Sequence, residues 1–90
     1  PRSLALPELK EVLERGAEMT HNPWTRLLWL DSGAATLLFA AGEAFECSRE
    51  SAEAICDESA LRTAGAALVA LDSNLILELL NRGHLILEPL

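Results

Sequence analysis

The segment DSNLILELLNRGHLILE, residues 72–88, decides the fold because its pattern predicts a helix that leads directly into a strand. Asp72 or Ser73 can cap the helix N-terminus by accepting a hydrogen bond from a free backbone N–H group. One helical face is apolar and carries Leu75, Ile76, Leu79 and Leu80. Gly83 can adopt the left-handed conformation that ends many helices, and the apolar run 85–87 then predicts a short buried strand. Neither element is stable alone, so the rest of the chain must pack around this segment.

The composition indicates one small acidic domain. The chain has 90 residues, of which 50% are hydrophobic, so it can fill a core without disulfides. Its net charge of −7 weighs against nucleic acid as a partner, because phosphate binding depends on Lys and Arg. No apolar run approaches the roughly 20 residues of a membrane span. We therefore expect a soluble, cytoplasmic domain, and its first residue, Pro1, indicates a processed product or a piece of something longer.

The chain order predicts a connector followed by a compact domain. Residues 1–21 are interpreted as a leader and a connector helix that begins at Pro7 and extends toward Met19. Residues 22–90 are interpreted as the domain proper. Its first part is predicted to be a β-meander of three short strands, namely Trp24–Leu30, Thr36–Ala40 and Ala44–Cys47.

The remainder predicts helices. Ser48 is a candidate N-cap for the helix that follows it, and residues 61–62 are interpreted as an extended link. Thr63 is a candidate cap for a small helix with Ala67, Leu68 and Leu71 facing inward. The predicted fold class is therefore α+β, a winged-helix-like domain with a short β-meander packed on three helices.

Few residues suggest chemistry. His21 and His84 are interpreted as half-exposed residues at segment edges, without the neighbours that a metal site needs. Cys47 and Cys56 are interpreted as reduced structural thiols, although one disulfide between them remains an alternative. No catalytic, metal-binding or cofactor-binding residue is predicted.

Three residues are candidates for protein contact: Trp24, Arg26 and Leu77. Trp24 and Arg26 fall on one face of the first predicted strand. Leu77 lies off the main apolar face of the 72–82 helix, although a wide buried stripe would also explain it. By position this helix is a DNA recognition helix, but its apolar residues predict burial and Asn74 is its one residue suited to read a base.

Three stretches carry a resemblance to a known family: NPWTRLLW at 22–29, LLFAAGEAF at 37–45 and LLNRGHL at 79–85. Together they resemble the C-terminal winged-helix module of bacterial JmjC-type ribosomal oxygenases. One departure is His84, which stands where that family usually has an aromatic residue. The resemblance covers residues 22–88.

The resemblance implies a parent that is similar to Fe(II)- and 2-oxoglutarate-dependent hydroxylases of ribosomal proteins. In that family the metal ligands lie in an N-terminal cupin-fold domain, so Fe(II) and 2-oxoglutarate are expected in the parent's catalytic domain and not in this chain. The implied partners are the chain's own upstream catalytic or dimerisation domain, a ribosomal protein, and a second copy within a homodimeric parent. Two alternatives remain: a free-standing DNA-binding winged helix, and a peptide-binding winged helix that accompanies a modifying enzyme.

Overall fold

The computed structural model describes residues 3–88, which form five helices and five strands. The helices are α1 (Leu6–Glu14), α2 (Arg49–Cys56), α3 (Glu58–Thr63), α4 (Gly65–Leu71) and α5 (Ser73–Asn81). The strands are β1 (Glu18–His21), β2 (Leu27–Asp31), β3 (Thr36–Ala40), β4 (Glu43–Cys47) and β5 (Leu85–Glu88). The α+β class is confirmed, although the described residues contain more helices than the connector and three that the sequence predicted.

Strands β2, β3 and β4 form the predicted antiparallel meander. The first strand begins at Leu27 and not at Trp24, because residues 22–25 form a turn. In that turn the N–H of Thr25 donates to the carbonyl of Asn22 at 3.0 Å, and the N–H of Trp24 donates to the Asn22 side chain at 2.9 Å. These bonds occupy backbone donors that an extended strand would leave for pairing.

The expectation that the connector helix extends to Met19 is wrong. Helix α1 ends at Glu14, and Gly16 follows with a φ of +102°, a left-handed conformation that stops a helix. Met19 lies in β1, which pairs antiparallel with β5 in a separate two-stranded sheet. The predicted division into residues 1–21 and 22–90 stays a prediction. The ends of these two segments, residues 1–2 and 89–90, lie outside the described residues.

Three further expectations in the helical region are wrong, the third of them in part. Residues 61–62 are not an extended link but lie in α3, which Asp57 caps by accepting from the N–H groups of Ser59 and Ala60. Thr63 does not cap α4, because its hydroxyl donates back to the carbonyl of Ser59 at 2.9 Å. The inward face of α4 also differs from the prediction: Leu68 and Val69 are buried, whereas Ala67 and Leu71 are exposed.

Helix α5 and its ends agree with the prediction. Asp72 accepts a hydrogen bond from the N–H of Leu75, and Gly83 follows the helix with a φ of +83°. The helix buries its apolar face in a core that every helix and three of the strands supply. Fully buried members of this core include Leu9, Met19, Leu38, Ile55, Leu61, Ile76, Leu79 and Leu85.

Candidate protein-contact surface

The outward side of the meander is an exposed apolar surface. Pairing register places Leu28 beside Phe39, and Phe39 beside Ala44 on the next strand. Side chains alternate across a sheet, and the opposite side of β3 is the buried one, with Leu38 and Ala40 fully covered. We call this outward side the outer sheet face, and it consists of Arg26, Leu28, Leu30, Leu37, Phe39, Ala44 and Glu46.

Large apolar side chains are exposed on this surface. Leu28 is 47% exposed and Leu30 is 57% exposed. Beside them lies a shallow concavity of about 340 Å³, lined by Arg26, Leu28, Phe39, Ala41 and Gly42. Its rim is the β3–β4 hairpin turn, where Ala41 has a φ of +50° and Gly42 a φ of +86°. Positive φ at both central residues is typical of a type I′ turn, whose twist matches that of the two strands it joins. This conformation is strained for Ala41, which has a β-carbon.

Two charges at the outer sheet face have no ionic partner among the residues that the structure describes. Arg26 and Glu46 form no ion pair within residues 3–88. The other arginines in this range are all paired, and they are Arg15, Arg49, Arg62 and Arg82. An unpaired guanidinium on an apolar surface is available to a binding partner, and Arg is enriched at protein interfaces.

The three predicted contact residues do not share one surface. Trp24 lies in the turn before β2, close in sequence to Arg26, and its side chain is 92% exposed. Leu77 lies on α5, where it is half-buried and packs against the core. The outer sheet face also includes Leu37, Phe39, Ala44 and Glu46, which the sequence did not single out. The alternation of residues within β3 and β4 was the signal that could have found them.

A polar cluster around the buried His84 lies on the other side of the hairpin turn. His84 is only 6% exposed, so its interpretation as a half-exposed edge residue is wrong. Its Nε2 lies 2.7 Å from Oε1 of Glu43, and its Nδ1 lies 3.5 Å from the hydroxyl of Thr25. Because a carboxylate only accepts hydrogen bonds, Nε2 carries the proton. Arg82 also binds the Glu43 carboxylate, and these contacts together hold the pKa of Glu43 below its usual value, mainly through the hydrogen bond from His84.

The second histidine also has structural contacts. Nε2 of His21 lies 2.6 Å from the carbonyl oxygen of Ile55, and Nδ1 lies 3.8 Å from Glu58. The fold thus supplies an acidic neighbour that local sequence did not show. Across residues 3–88, no group of three or more His, Cys, Asp or Glu side chains is placed to hold a metal ion.

The cysteines are free thiols, as predicted. Burial raises the pKa of Cys47, and the nearby Asp72 adds to the effect. Burial likewise raises the pKa of Cys56. A raised pKa lowers the thiolate fraction near neutral pH, which is opposite to the shift that activates a catalytic cysteine.

Within the described part of the chain, every helix falls short of the length and apolar character needed to cross a membrane. Comparison with curated protein sequences gave no match. The family model for the ROXA-like winged helix matches residues 2–86, which is nearly the whole chain. This match confirms the resemblance found in the sequence and the winged-helix assignment of the fold. The chain belongs to the ROXA-like winged helix family.

Proposed function

We propose that this chain is the non-catalytic C-terminal module of a cytoplasmic, Fe(II)- and 2-oxoglutarate-dependent ribosomal protein hydroxylase, and that it works by protein contact. Family membership supports the link to ribosomal oxygenases. The observation that carries the contact role is the outer sheet face, an exposed apolar surface on a domain of net charge −7.

The outer sheet face has the composition of a binding surface. Contiguous apolar patches on soluble proteins commonly mark interaction sites, whereas single exposed leucines do not. Here Leu28 and Phe39 are neighbours across β2 and β3, and Leu30 and Leu37 form the next pair. A partner that covers Leu28 and Leu30 would remove the apolar surface of two half-exposed side chains from water, and such burial is favourable. The partners that fit the proposal are the parent's own catalytic or dimerisation domain, a ribosomal protein, and a second copy of the chain in a homodimeric parent.

The placement of the possible metal-ligating side chains supports a non-catalytic role. An Fe(II) site of the expected kind needs histidine and carboxylate ligands that converge on one point. Within residues 3–88, no three His, Cys, Asp or Glu side chains are grouped in that way. We therefore place the iron and the 2-oxoglutarate in a separate catalytic domain of the parent.

The contacts of α5 disfavour the DNA-binding alternative. Its apolar residues Leu75, Ile76 and Leu79 are buried in the core. Arg82, at its C-terminal end, is engaged by the carboxylates of Glu43 and Glu78. A reader of DNA would instead expose polar and basic side chains from the N-terminal part of this helix.

The test uses the full-length gene product and a double variant, Leu28→Thr with Leu30→Thr, which keeps strand-forming residues while removing apolar surface. The control is Leu71→Thr, because Leu71 is an exposed leucine on α4, away from the sheet. We expect the full-length protein to convert 2-oxoglutarate to succinate with a ribosomal protein substrate, and the 90-residue chain alone to give no turnover. The double variant, unlike the control, should weaken association with the parent's other domains or with the substrate.

Two results would contradict the proposal separately. Turnover of 2-oxoglutarate by the isolated chain would refute its non-catalytic role. Equal association and activity in the double variant and in the Leu71 control would refute the contact role of the outer sheet face.

A further inference from the structure

We infer that the outer sheet face is covered by the same face of a second copy of this chain, in a two-fold symmetric dimer. The inference rests on the proposed contact role and names the partner for that surface. Three observations carry it: the apolar centre of the face, the two unpaired charges, and their positions at opposite corners.

The pairing register fixes those positions. Arg26 lies just before β2, and its carbonyl accepts from the N–H of Ala41 at 3.4 Å, so it continues the ladder toward the hairpin turn. Leu28, Phe39 and Ala44 form the middle row. Leu30, Leu37 and Glu46 form the far row. Arg26 is therefore at one corner on the β2 side, and Glu46 is at the diagonally opposite corner on the β4 side.

This arrangement is self-complementary. In a two-fold interface, if residue i of one copy contacts residue j of the other, then j of the first contacts i of the second. Rotation about an axis lying in the face, perpendicular to the diagonal, brings Arg26 of one copy to Glu46 of the other. The same rotation repeats this pair and stacks the two apolar centres. Both unpaired charges are then satisfied by one partner.

A second copy accounts for the positions of Arg26 and Glu46 more simply than a different protein does. Arg26 is the one arginine within residues 3–88 that lacks an ion pair, and Glu46 faces the same side of the same sheet. A different protein would have to supply an anion and a cation at the matching diagonal. The net charge of −7 on each copy opposes association, but this repulsion is screened beyond about 8 Å at physiological ionic strength.

The size of the face predicts a weak dimer. Three strands and five residues per strand cover about 10 by 17 Å. A stable dimer usually buries roughly 800 Å² on each partner, which is more than a face of this size supplies. We therefore expect weak association of the isolated chain, measurable only toward about millimolar concentration, and stronger association when two copies are held together in a parent protein.

The test is charge reversal with complementation, followed by sedimentation equilibrium from micromolar to millimolar concentration. Arg26→Glu and Glu46→Arg should each weaken self-association by at least about tenfold, because each places like charges together twice. An equimolar mixture of the two variants should restore association, since every contact then joins opposite charges. The matched control is Arg15→Glu, on α1, which should leave association unchanged. Circular dichroism of each variant verifies that the fold is retained.

Several outcomes would overturn the dimer. One is a wild-type chain that stays monomeric at millimolar concentration, and another is a mixture that associates no better than the single variants. Suppose that the chain does not dimerise, but the Leu28/Leu30 variant still impairs association or hydroxylation in the full-length protein. The contact role of the outer sheet face then stands, and its partner is a different protein surface. If both fail, the contact role itself is wrong.

Discussion

Nε2 of His84 donates a hydrogen bond to Oε1 of Glu43 across 2.7 Å, and this contact joins the residue before β5 to the first residue of β4. It therefore connects the two sheets. Arg82 strengthens the junction, since it binds the same carboxylate and lies over the ring of Phe45 at 5.7 Å. The edge of His84 also meets Phe45, with ring centroids 6.4 Å apart and planes at 70°. Such edge-to-face packing is a favoured geometry for ring pairs.

Removing the charge of Glu43 should destabilise the fold in a pH-dependent way. The hydrogen bond from His84 holds the pKa of Glu43 below its ordinary value of 4.5, so the folded state favours the carboxylate. A depressed folded pKa gives stability that is fully present above pH 4.5 and is lost as the pH falls through the folded pKa. Glu43→Gln should therefore lower the midpoint of urea unfolding at neutral pH, and the difference from wild type should shrink in acid.

The matched control for that experiment is Glu14→Gln, because Glu14 is exposed on α1 and forms no ion pair within residues 3–88. Its unfolding curve should follow that of the wild type at both pH values. A difference between Glu43→Gln and wild type that stays constant from neutral to acid pH would contradict the assigned role of the carboxylate.

The variant Leu79→Ala should be severely destabilised. Leu79 is fully buried on α5, and removal of a buried leucine side chain beyond Cβ typically costs about 2–5 kcal/mol in the free energy of unfolding. Leu71→Ala is the control, because Leu71 is 48% exposed and its loss should stay within about 0.5 kcal/mol. Urea unfolding followed by circular dichroism measures both. Equal losses would show that α5 does not bury its apolar face in the core.

A β-carbon at residue 83 should destabilise the fold moderately. The φ of Gly83, +83°, lies in the left-handed region, and a Cβ added at this residue would meet no atom within 4 Å, so the cost is conformational and not steric crowding. Gly83→Ala should reduce the free energy of unfolding by about 1–2 kcal/mol. Gly83→Asn should cost less, since asparagine adopts this conformation more readily. An alanine variant as stable as wild type would mean that the junction between α5 and β5 can rearrange.

Duplex DNA should not bind the isolated chain. Its net charge is −7, and Arg82 is already bound to the carboxylates of Glu43 and Glu78. In fluorescence anisotropy with labelled duplex we expect no change, even at low salt, where phosphate contacts are strongest. Binding that weakens steeply as salt increases would favour the DNA-binding alternative.

Sequence patterns predicted most of the local structure correctly. Ser48 and Asp72 cap the helices that follow them, and the second strand of the meander runs from Thr36 to Ala40 as predicted. The errors arose where a local signal competed with a distant one. Met19 has the spacing to extend α1, but Gly16 ends that helix and pairing with Leu87 places Met19 in a strand.

The candidate surface was predicted in part. Alternation in the first predicted strand placed Arg26 and Leu28 on one face, and the structure leaves both exposed there. The sequence could not show that Arg26 lacks an ion pair, because the positions of fourteen acidic residues relative to it depend on packing. For the same reason the sequence could not separate Leu77, which packs on the core, from a surface contact.

The sequence by itself determined the caps at Ser48 and Asp72, the glycine stop after α5, the meander and the family, because these depend on residues a few positions apart and on short motifs. Only the tertiary structure decided that β1 pairs with β5, that His84 is buried against Glu43, and that Arg26 and Glu46 lie at opposite corners of one face without an ion pair to any residue from 3 to 88. Glu43 and His84 are 41 residues apart in the chain. Contacts over such separations form when the whole core is packed, so no local pattern encodes them.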